Sequence, residues 1–186
     1  MLGAGAAVTL AAWTAQDSAV GGFAASRFGT ESTVNGGATW SDNSTTPATL
    51  SLGTVALMPG DVTAASFGIR ATVGSVAGTE SLQTPSGVAG ALAPYLQYRV
   101  YRASGSACSA TSTPAAGSDW ILGGATSWVA LSSTVPANGS SLAAGAASAP
   151  GTPLWFCFQA RLGTDAPKSL QGSSGQATWQ FLGTSS

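Results

Sequence analysis

The sequence predicts an all-β chain: a jelly-roll-like β-sandwich with long Gly/Ala/Ser/Thr-rich loops and at most short helical turns. Two observations carry that expectation. Several segments alternate apolar and polar residues with period two, and none sustains a 3.6-residue period. The few bulky apolar residues gather in those segments, while Ala, Gly, Ser and Thr fill more than half of the chain. Alternating strands spread along one chain hide their apolar faces by packing as two sheets.

The elements follow in order. Phe23 to Thr30 (FAASRFGT) and Ala48 to Val55 (ATLSLGTV) read as strands. Met58-Pro59-Gly60-Asp61 is a turn signal, because proline presets one φ and glycine permits the positive φ after it. Val62 to Gly74 follows as a longer strand, with Phe67, Ile69, Ala71 and Val73 on one face. Leu96, Tyr98 and Val100 alternate with Gln97, Arg99 and Tyr101. Leu154 to Leu162 is the clearest strand. Leu154, Phe156, Phe158, Ala160 and Leu162 form one face, and Trp155, Cys157, Gln159 and Arg161 the other. Ala177 to Leu182 closes the domain, with Trp179 and Phe181 together. Asn35 to Pro47, Gly78 to Pro94, Ala103 to Asp119 and Pro136 to Pro153 read as loops of small polar residues. Val88 to Ala93 and Leu142 to Ala149 are the candidate helical turns, weakened by glycine.

Composition removes whole classes of function. Only 7% of residues are charged and the net charge is −1. That excludes a basic groove for nucleic acid and an electrostatic hold on an anionic membrane. Histidine is absent, which removes the usual general base of a serine triad and the imidazole ligands of a metalloprotease. Two cysteines cannot make a four-ligand zinc site by themselves. The carboxylates Asp17, Glu31, Asp42, Asp61, Glu80, Asp119 and Asp165 are scattered, with no acid–base pair evident. A calcium site on Asp42 and Asn43 would be sparse in ligands. The expectation is a non-enzyme with no catalytic residue, no metal and no cofactor.

Leu2 to Trp13 (LGAGAAVTLAAW) carries no charge. It is shorter than the ~20 residues of a membrane span but fits the apolar region of a secretory signal. Residues 1–12 therefore read as a signal remnant cleaved after Ala11-Ala12, leaving Trp13 first and no membrane segment in the mature form. The alternative is an apolar N-terminal strand or helix of the domain. Cys108 and Cys157 are an even pair, which in an exported chain reads as a disulfide; the alternative is two buried free thiols. Among six tryptophans, Trp155 and Trp179 sit in apolar strands and read as core. Trp40, Trp120 and Trp128 lie in or beside loops, as exposed contacts for a glycan or as anchors pinning those loops.

Three stretches carry a family resemblance: AAWTAQDSAVGGFAASRF (Ala11 to Phe28), LSLGTVALMPGDVTAASFGIRATVGS (Leu50 to Ser75) and SLQGSSGQATWQFLGTSS (Ser169 to Ser186). In order and placement they resemble the TasA/camelysin family of exported bacterial proteins, in particular actinobacterial members with a special signal peptide. The resemblance implies a jelly-roll sandwich that polymerises into extracellular fibres of the biofilm matrix. It implies that the N-terminal strand of one subunit completes the sandwich of the next. The donor would lie in residues 13–22, with Trp13, Ala15, Ala19 and Val20 as its apolar contacts, ahead of one sandwich domain over 23–186. The cysteine pair and the very low charge depart from the family pattern. The metallopeptidase label of camelysin is not carried over, for want of histidine.

The function expected is thus a secreted structural subunit, at the cell surface or in the matrix of a bacterium. Its partner is itself, in a head-to-tail homopolymer, with other matrix or cell-wall components as further partners. The alternative is a secreted glycan- or surface-binding sandwich module.

Overall fold

The computed structural model describes residues 25–52 and 57–186. The expected signal remnant and the expected donor segment, with Trp13, Ala15, Ala19 and Val20, lie outside the described residues. The described chain forms eleven strands. They are β1 (Thr30–Thr33), β2 (Val62–Ala71), β3 (Gly78–Leu82), β4 (Ser86–Ala89), β5 (Leu96–Ala103), β6 (Trp120–Leu122), β7 (Val129–Ala130), β8 (Gly139–Leu142), β9 (Leu154–Leu162), β10 (Gln176–Thr178) and β11 (Phe181–Ser185). Among the described residues helical structure is confined to three single 3-10 turns, Ala93–Tyr95, Gly117–Asp119 and Lys168–Leu170.

Two antiparallel layers result, an all-β sandwich. The large sheet runs β1-β2-β9-β5-β6, with β7 also on β5. Its three long strands are the ones whose alternation is strongest, so burial of one face also sets their register. Phe67 of β2 stands opposite Phe156 of β9, and Val100 of β5 opposite Phe158. The small layer runs β11-β3-β8, continued by the pair β10-β4. The Gln83 N–H donates to the Gln180 carbonyl at 2.8 Å, so the two pairs form one long ribbon with a register shift at its β10 end.

The core lies between the layers. Ile69, Tyr98, Val100, Phe156 and Phe158 from the large sheet meet Leu82 and Leu142 from the small one. Phe181 reaches across to stack on Phe67, with centroids 5.2 Å apart, and to meet Phe156 at 4.6 Å. Trp179 meets Phe158 edge-on at 5.3 Å. Aromatic pairs at such separations add about 0.5–1.5 kcal/mol each beyond their area. A handful of rings therefore does the packing that a chain with few aliphatics cannot spread more widely.

Several expectations are corrected. Of Phe23 to Thr30, residues 25–29 form no strand and bridge only at Arg27–Ser75, and the first strand instead begins at Thr30. Residues 48–52 of the expected strand Ala48 to Val55 pair with neither sheet. The loop expected at Gly78 to Pro94 contains β3 and β4, and the one at Pro136 to Pro153 contains β8. Their Gly, Ser and Thr are strand residues here because the neighbouring strand supplies the ladder. The helical turn expected at Val88 to Ala93 gives way to β4 followed by a 3-10 turn from Ala93, and Leu142 ends a strand. Ala177 to Leu182 is interrupted at Trp179-Gln180. Val73 lies beyond the end of β2, exposed. Trp155 sits on the outer face of β9, not in the core. Its ring covers Gly68, where a Cβ would stand 2.6 Å from it, so only glycine fits beneath.

Candidate functional site: the open seam of the sandwich

The two layers do not close along one side. There β1, an edge of the large sheet, faces β10 and β11, an edge of the small layer, and among the described residues the two are not paired. Ser41 covers part of β1 through reciprocal backbone bonds with Ser32 at 2.9 and 3.1 Å. The chain then crosses the opening as an unpaired strap over residues 42–52, whose Leu50 and Leu52 rest on the core. Two connected depressions remain. One, of about 420 Å³, lies between Glu31 of β1 and Phe181 to Gly183 of β11. The other, about 720 Å³, continues past Trp179 along β10 to Leu96 and Leu131. Phe67, Trp179 and Phe181 border both. The floor is apolar and the walls are backbone edges, which is the form of a slot for an extended chain.

Polar atoms without partners mark the same region. Buried polar groups are nearly always hydrogen-bonded, yet among the described residues Glu80 Oε1 and Trp179 Nε1 have no partner in hydrogen-bond geometry. Tyr98, whose ring is 5.9 Å from that of Trp179, sets its hydroxyl beside that indole, the two groups having no further partner among the described residues. Burial pushes the Tyr98 hydroxyl up to about 12, and the Trp179 indole beside it acts more weakly in the other direction. Glu80 is 2% exposed, on the inner face of β3 with Gly78 and Leu82. Strand alternation sends it inward. Its cross-strand partner Gly183 leaves the space its carboxyl occupies, since a Cβ there would lie 2.6 Å from Oε1. Burial alone pushes this carboxyl up from 4.5 to about 7.

The other sequence candidates lie elsewhere. Cys108 and Cys157 form a disulfide with Cα atoms 5.4 Å apart, tying the β5–β6 loop to the outer face of β9. Trp40, Trp120 and Trp128 are each half-buried over the outer face of the large sheet. The Arg70 guanidinium sits 4.1 Å from the Trp40 ring, and Arg99 sits 4.2 Å from Trp128 and 5.1 Å from Trp120. Arg161 shares the Trp128 ring at 4.7 Å. Burial, then the neighbouring Arg161 charge, lowers the pKa of Arg99. Arg99 is held by Gln159 Oε1 at 2.6 Å and by the carbonyls of Gly124 and Ala125. These rings clamp loops to the sheet through cation–π contacts, and none belongs to the seam. Asp42 and Asn43 border the seam but spend their groups locally. Ser44 donates to Asp42 and holds its carboxyl below its ordinary value, and the Asn43 amide donates to Ser32 Oγ at 2.8 Å. Among the described residues no three Cys, Asp or Glu side chains gather as a metal-binding group. No helix among them is long and apolar enough to cross a membrane.

Sequence reasoning missed Glu80 and the β11 edge. The available signal was Glu80 at the centre of a short alternating run, Gly78 to Leu82, but it lay in a stretch too poor in bulky residues to read as a strand.

The class defined by fold and site is an antiparallel β-sandwich with one unpaired, apolar-floored seam. No protein-family model matches the chain, and no curated protein sequence matches it.

Proposed function

We propose that the protein is an exported structural subunit that polymerises head to tail, the leading segment of one molecule pairing with the open seam of the next. The observation that carries this reading is the β10–β11 edge, unpaired among the described residues and facing β1 across a slot that Phe67, Trp179, Phe181 and the unpartnered Glu80 carboxyl line. An open edge presents a row of N–H and C=O groups that an added strand satisfies, with alternate side chains filling the slot. Such a contact is heterologous and does not close on itself, so it propagates a filament. The low charge keeps repulsion between stacked subunits small. The disulfide suits an oxidising, extracellular location. The resemblance to the TasA/camelysin family leads to the same reading: a matrix or cell-surface fibre of a bacterium, with residues 13–22 as donor. The reading includes no catalysis, and it takes Trp40, Trp120 and Trp128, whose rings face Arg70 and Arg99, as loop anchors rather than as a glycan platform.

Electron microscopy tests the proposal on protein beginning at Trp13 and on protein lacking residues 13–22. Filaments are expected from the first and monomers from the second. A synthetic peptide of residues 13–22 should shorten the filaments by filling seams. Monomers from both proteins at high concentration would sink the reading.

A further inference from the structure

We propose that Glu80 makes occupation of the seam proton-dependent, so that a second copy's leading segment docks when this carboxyl is neutral and is refused when it is ionised. The inference rests on the fibre reading and adds a control to it.

Several observations converge. Glu80 is almost wholly buried, it borders the seam, and its Oε1 has no partner. No cation reaches it: the ion pairs among the described residues are Arg70–Glu31 and Arg102–Asp119. The other charged groups bordering this part of the seam are Glu31, already tied to Arg70, and Asp42. From the strands packed against it come Ser140 of β8 and Gly183 of β11, neither of which titrates. Finally, residues 1–24 contain no lysine or arginine, and their only charged side chain is that of Asp17. An incoming copy of that segment therefore offers Glu80 no cationic side chain. Laying it over an ionised Glu80 would remove the last access of water to a carboxylate without a counter-ion, which is strongly unfavourable. A neutral carboxyl enters the same place as a hydrogen-bond donor to a carbonyl or side-chain oxygen of the docked strand.

The direction follows from linkage. The folded subunit binds the Glu80 proton more tightly than the unfolded chain does, its carboxyl standing at about 7 against 4.5. The associated stability is fully present below about pH 4.5 and is lost as pH rises through about 7. Docking increases burial further, so it takes up the same proton, and assembly strengthens in the same direction.

The test measures critical concentration and filament yield for the intact chain between pH 5 and pH 8, beside Glu80→Gln and Glu80→Ala. For the wild type we expect a critical concentration rising about tenfold per pH unit above the carboxyl's titration. For both variants we expect a flat profile near the wild-type acid value. Thermal unfolding checks that each variant is folded; Glu80→Ala, which fills less space, covers the case in which the amide does not fit. Filaments from variants and wild type with one shared pH profile would overturn the control alone, as would wild-type assembly that improves towards pH 8. Filaments absent from all three proteins at every pH would overturn the fibre reading and this inference with it. A pH response confined to monomers and independent of concentration would assign the slot to the chain's own segment and also overturn it.

Discussion

Reduction of the Cys108–Cys157 bond, or its removal as C108S/C157S, is expected to lower Tm by about 10 °C. The bond closes a loop across a sequence separation of 49. For a loop of that size the chain-entropy account gives about 4 kcal/mol of stabilisation, and for a domain this long each kcal/mol moves Tm by roughly 2–4 °C. Geometry adds to the argument. Cys157 is fully buried in β9, the strand to which both β2 and β5 pair, and Cys108 belongs to the long β5–β6 connection. Opening the bond frees that connection from the middle of the large sheet. Calorimetry with and without reductant measures the effect; an unchanged midpoint on fully reduced protein would refute it.

Truncating Phe158 to alanine is expected to be as damaging, at about 3–5 kcal/mol. Phe158 is 2% exposed. Its ring meets Trp179 at 5.3 Å, Phe181 at 6.3 Å and Phe67 at 6.5 Å. Trp179 and Phe181 join the small layer to the large one through this ring, and Phe67 packs beside it from the same sheet. Denaturant unfolding reads the loss as a lower midpoint. A change below about 1 kcal/mol would mean that the aromatic row is not what joins the layers. The conservative Phe158→Leu should recover much of the loss.

The legible part of the fold was the part built from large side chains. β9 lies where the sequence placed it, Leu154 to Leu162, because five inward apolar residues alternate with polar or aromatic ones. β2 and β5 follow the same rule. The strands TEST, GTESL, SGVA and GSSL carry almost no such contrast. Gly, Ser and Thr serve loops and thin strands alike, so what makes these segments strands is the partner across the ladder, which sits far away in sequence. β3 pairs with residues 181–185 on one side and 139–142 on the other. The seam was illegible for a related reason. It exists because an edge is left unpaired, and an edge is a property of the assembled sheet. Glu80 looked like one more scattered carboxylate until Gly183 and Ser140 were placed beside it. The loop tryptophans were visible as anchors, but the arginines that hold them come from strands far along the chain.

The distribution of basic residues has a practical consequence. Arg70, Arg99, Arg102 and Arg161 all lie within paired strands, whereas Arg27 and Lys168 are exposed outside them. Trypsin needs its target bond in a pliable stretch, so a brief digest of the native protein has two natural places to cut. Scission after Arg27 separates residues 1–27 covalently from the body of the sandwich. Scission after Lys168 leaves β10 and β11 held by their ladders to β4 and β3 and by the rings of Trp179 and Phe181, a nicked molecule whose two pieces part only when the interior melts.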